Sequence, residues 1–71
     1  MNKALLHSFM VRFGDTQLTL AMAMGISLSR MNAKINNKSA EFTQSEILFI
    51  KNRYKLTARE LDEIFFADEV A

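Results

Sequence analysis

Leu5, Leu6, Phe9, Met10 and Phe13 recur at spacings of three and four, the period of a helix with one apolar face. Gly14 follows them, and a glycine just past a helix can take the left-handed conformation at little cost. A first helix is therefore predicted over about 2–13. The second begins at Thr16, whose hydroxyl can accept a bond from a backbone N–H in the first turn. It runs through "QLTLAMAM" to Gly25, with Leu20, Ala21 and Met24 as its inward stripe. A third helix has Ser27 as N-cap and runs to about Asn37. Met31 and Ile35 turn inward, and Ile26 is placed to clasp Met31 across the helix start.

The last two helices carry the strongest start signals. In "FTQSEI", Thr43 caps and Glu46 closes a capping box, with Phe42 and Ile47 as flanking apolar partners. "LTAREL" repeats the device with Thr57, Glu60, Leu56 and Leu61. Ile47, Ile50 and Tyr54 form one stripe, and Leu61, Ile64 and Phe65 the other. No alternating strand pattern competes. The prediction is an all-α, compact five-helix bundle forming a single domain over residues 1–71.

Composition narrows the chemistry. At 71 residues the chain is near the lower limit for folding on a hydrophobic core alone, but 49% of its residues are hydrophobic, which argues against disorder. Without cysteine, and with His7 as the single histidine, neither a disulfide framework nor a metal constellation is available, and no cofactor is expected. His7 reads as a solvated helix residue. No apolar run approaches the roughly 18 residues that span a bilayer. "MNKALLHSFMVRF" lacks a small-residue cleavage pattern and reads as a folded helix, so the cytoplasm is the expected location. The carboxylates sit mostly in caps or near the C-terminus, with no nucleophile–base pair and no glycine-rich phosphate loop, so an enzyme is not expected.

Charge is uneven. Residues 1–59 hold all nine Lys and Arg against Asp15, Glu41 and Glu46, a balance of +6, while residues 60–71 carry −5. A basic body with an acidic end is compatible with nucleic-acid binding on one face, and equally with small helical proteins that bind nothing charged.

The short "GIS" connection forces the second and third helices to cross steeply. In its residue order, "TQLTLAMAMGISLSRMNAKINNK" resembles the helix-turn-helix of the phage repressor and Cro-like (XRE) family, over about 16–37. Thr16 and Gln17 match the opening of its first helix, Leu20 and Ala21 its buried face, Met24 to Ser27 its turn, and Met31 and Ile35 its inward positions. Downstream, "FTQSEI" and "LTARELDEIFF" are similar to small regulators of Gram-positive phages. The likeness covers about residues 8–66 and is nearest to antirepressor, or modulator-of-repression, proteins of lactococcal-type temperate phages. It implies that Thr16 and Gln17 clamp the DNA backbone, and that Ser29, Asn32, Ala33 and Asn36 face base edges or the groove wall. Arg30, Lys34 and Lys38 would flank that face and neutralise phosphates. On a helical wheel Ser29, Ala33 and Asn36 fall within about 60° of one another, away from Met31 and Ile35.

Three features depart from a DNA reader. Leu28 stands in the first turn of the recognition helix, where it either touches a thymine methyl without a hydrogen bond or extends the core edge. Leu18 and Met22, four apart, point away from the inward stripe; they are either scattered surface apolars or, with Leu28, a patch of the kind that binds proteins. The acidic final helix lowers the net charge to +1. The implied function is lytic-side regulation of a temperate-phage switch. Leu18, Met22 and Leu28 would dock on the DNA-binding domain of the lysogenic repressor, with Arg30 and Lys34 at the rim, and so alter its operator binding. The alternative is an autonomous Cro-like operator binder acting as a homodimer. Phe65 and Phe66 cannot both face one core from one helix, so one of them would seed the dimer contact.

Overall fold

The computed structural model describes residues 1–36 and 40–66. Among these residues there are five α-helices and no strands: α1 (Lys3–Arg12), α2 (Gln17–Met24), α3 (Leu28–Ile35), α4 (Gln44–Arg53) and α5 (Ala58–Phe65). The all-α five-helix expectation holds. None of these helices is long and apolar enough to cross a membrane.

Each helix starts on a side-chain cap. Asn2, Thr16, Ser27, Thr43 and Thr57 each accept a bond from a backbone N–H three residues on. Glu46 and Glu60 close the two predicted boxes by accepting from the Thr43 and Thr57 N–H groups at 2.8 Å. A third box is present on α2, where Thr19 Oγ1 accepts from the Thr16 N–H at 2.9 Å. Such caps satisfy orphan donors that short helices otherwise leave to water.

Helix ends share one device. After α1, α2 and α4 the chain passes through a left-handed residue, and the next N–H reaches back to a carbonyl in the last turn. Asp15 donates to Met10, Ile26 to Ala21, and Leu56 to Lys51. Gly14 and Gly25 occupy the left-handed positions at φ 74° and 72°, but the third is Lys55 at φ 53°. α3 is shorter than predicted and ends at Ile35, capped by Asn36. Asn37 lies outside the described residues.

All five helices feed the core: Leu6, Phe9 and Met10 from α1, Leu20 and Ala21 from α2, Met31 and Ile35 from α3, Ile50 from α4 and Ile64 from α5, with Tyr54 and Leu56 from the α4–α5 link. Met24, Phe42, Leu61 and Phe65 pack partly buried around it. The Phe42 and Phe65 rings meet edge to face at 5.6 Å. The Asn2 N–H donates to the Ile64 carbonyl at 2.6 Å, so the start of α1 is tied to the last turn of α5. With the core closed below them, α2 and α3 pack against each other and present their remaining faces outward.

Candidate functional site

The α2–α3 pair is fastened to the rest of the molecule by two ionic contacts, one at each end, in which Lys34 and the Asp15 side chain are buried and Arg53 is partly open to solvent. At the start of α2, the Asp15 carboxylate accepts from Arg53 through Nε at 2.7 Å and Nη2 at 2.9 Å, from the Tyr54 hydroxyl at 2.8 Å and from Thr19 Oγ1 at 2.8 Å. The Arg53 hydrogen bond, with those of Tyr54 and Thr19, outweighs burial and holds this carboxyl well below the usual carboxylate range. Burial and the bond to Asp15 push the Tyr54 phenol up. Phe13 packs beside Tyr54, with ring centroids 5.3 Å apart.

At the far end of α3, Lys34 is 3% exposed, and its Nζ donates to Glu46 Oε1 at 2.9 Å and to the Glu41 carbonyl at 3.0 Å. Burial acts to raise the Glu46 carboxyl. The Thr43 backbone N–H and the Lys34 ammonium outweigh it and hold the group below its ordinary range. This corrects the expected role of Lys34 as a phosphate contact and rim residue. On the wheel Lys34 lies only about 60° from Met31, and its long stem carries the ammonium inward to a carboxylate. Phe42 lies 5.9 Å from the same ammonium.

Between these anchors runs a ridge of amides. Asn32 Nδ2 donates to Gln17 Oε1 at 3.3 Å, linking α3 to the first turn of α2. Asn36 Nδ2 donates to the Asn32 carbonyl and to its Oδ1, and Lys3 Nζ donates to Asn36 Oδ1 at 3.0 Å. Ser29, Arg30 and Asn32 are exposed, while Ala33 and Asn36 are half-buried and outside the core. Thr16 is exposed and Gln17 half-buried. Lys38 lies outside the described residues. Thus Arg30 is the one cation that the described part of α3 offers to solvent.

Leu18 and Met22 on α2 and Leu28 on α3 are 50%, 71% and 46% exposed, so both helices present apolar side chains to solvent. Leu28 is open to solvent and is no extension of the core edge. Arg53 and Lys3 had no assigned part in the sequence reading, and Asp15 entered only as a charge. Asp15 and Arg53 stand 38 residues apart, and no short-range pattern announces their pairing. Among the described residues no group of His, Asp or Glu is placed to hold a metal ion. The arrangement offers a surface for contact, with apolar side chains, amides and one free guanidinium. Comparison with known proteins gives no family model, no curated relative and no solved structure that matches the chain.

Proposed function

We propose that this chain is a lytic-side regulator of a temperate-phage genetic switch, an antirepressor that binds the DNA-binding domain of the lysogenic repressor in the host cytoplasm. The α2–α3 pair acts as a helix-turn-helix whose outer face meets protein. Exposure of Leu18 and Met22 on α2 and of Leu28 on α3 carries the proposal. Apolar side chains grouped on an outer face are typical of protein contacts, and an unbranched methionine adapts to a partner's shape. A complex covering the repressor's recognition surface would lower its grip on operators.

Burial of Lys34 supports the same role from the other side. Non-specific DNA affinity comes mainly from cations that neutralise phosphates, and the described α3 retains Arg30 alone for this. The second reading, an autonomous operator binder, draws on the Gln17–Asn32 bond, which couples the expected phosphate clamp to an expected base-facing residue. Operator gel shifts separate the two. On the antirepressor reading, the protein alone gives no tight salt-sensitive shift, co-elutes with the repressor's DNA-binding domain, and changes that domain's operator affinity. A tight, sequence-specific shift with this protein alone and no repressor complex would establish the second reading.

A further inference from the structure

Five methionines and no cysteine give this chain five thioether sulfurs and no thiol. The fold treats them unequally. Met10 and Met31 are core residues at 2% and 0% exposure, and Met1 and Met24 pack half-buried against that core. Met22 alone stands in water, 71% exposed in the last turn of α2. An oxidant in solution attacks thiolates and thioethers according to their access. With no thiol to compete and four sulfurs covered, such an attack converges on Met22.

We propose that Met22 is a reversible oxidation site and that its sulfoxide form switches off the partner contact of α2. The switch rests on the antirepressor reading, whereas the oxidation site does not. The oxidant is a peroxide. The sulfur lone pair takes one peroxide oxygen, the S–O bond forms and the O–O bond breaks. The departing hydroxide carries off the remaining proton as water, and the two electrons lost by sulfur reduce the peroxide. The return step uses the thiols of a methionine sulfoxide reductase: the oxygen leaves as water, the sulfur regains two electrons and the thiols close to a disulfide. On the free chain the added oxygen points into solvent and the buried core keeps its packing. Under a partner the same oxygen must shed its water, and a surface that accepted a thioether returns no hydrogen bond. Oxidised chains therefore leave the repressor free to hold its operators.

Hydrogen peroxide on the purified chain, followed by catalase and tryptic mass spectrometry, tests the site without any repressor. Cleavage after Arg12 and Arg30 releases residues 13–30, whose fragment ions separate Met22 from Met24, while Met10 and Met31 fall in other peptides. Met22 should gain one oxygen about tenfold faster than Met10 and Met31, and ahead of Met24, with the helical circular-dichroism signal unchanged. In isothermal titration the oxidised chain should bind the repressor's DNA-binding domain at least about tenfold more weakly, and sulfoxide reductase with dithiothreitol should restore the affinity. The affinity of Met22→Leu, whatever its starting value, should not change on peroxide treatment. Oxidation spread evenly over the methionines overturns the site. Undiminished binding by a Met22-oxidised chain overturns the switch, as does a peroxide-sensitive Met22→Leu. An untreated chain that does not bind the domain overturns the antirepressor reading instead, and the Met22 peptide map does not depend on that result.

Discussion

Lys34 and Arg30 carry the same charge on the same helix, yet only Arg30 faces water, because Lys34 turns inward to Glu46 and the Glu41 carbonyl. A buried ammonium in such a site ties α3 to α4, and removing one partner leaves the other charge poorly compensated. Lys34→Ala should lower stability by about 3 kcal/mol in urea titration. If Lys34 instead served DNA, its removal would leave the melt unchanged and flatten the salt dependence of binding. Asp15 makes the corresponding tie at the α2 end. Its folded-state pKa is depressed, so its contribution is complete above about pH 5 and is lost as pH falls below the unfolded value near 4. Asp15→Asn should be about 2 kcal/mol less stable at pH 7 and should lose less than wild type between about pH 5 and pH 2. Parallel acid limbs for the two proteins would count against the Asp15 network.

At the scale of elements, the helix starts were legible because each is written within four residues. Thr43 with Glu46 and Thr57 with Glu60 fix their first turns locally, so the sequence pattern and the structure agree. The Thr16–Thr19 box escaped because a threonine at the fourth position is not the usual closing residue. Helix ends were legible where glycine marks them, at Gly14 and Gly25, and silent at Lys55, where a lysine takes the same left-handed geometry. That conformation costs an L-residue about 1 kcal/mol. Lys55→Gly should therefore stabilise the protein by up to about 0.5 kcal/mol once the added freedom of the unfolded glycine is subtracted, raising the melting temperature by up to about 3 °C. A lower melting temperature would mean that the Lys55 side chain makes an unrecognised contribution.

Across the whole molecule, what the sequence conceals is pairing at long range. Asp15 with Arg53 and Lys34 with Glu46 join segments 38 and 12 residues apart, and both depend on helix packing that periodicity does not specify. Side-chain direction on a single helix was more accessible. The wheel that turned Leu18 and Met22 away from Leu20 and Ala21 corresponds to their exposure. The resulting protein divides its surface: a ridge of amides with exposed Leu18, Met22 and Leu28 on α2–α3, and a largely apolar groove between α4 and α5. Because Leu18 is half exposed and Met22 mostly so, replacing both by aspartate should leave the fold intact and its stability within about 1 kcal/mol of wild type. The central claim is that these side chains meet the repressor. Isothermal titration of the repressor's DNA-binding domain with the Leu18→Asp, Met22→Asp double variant tests it most directly. Binding to wild type with loss of at least about 100-fold in the variant is expected, whereas undiminished affinity in a folded variant would contradict the account.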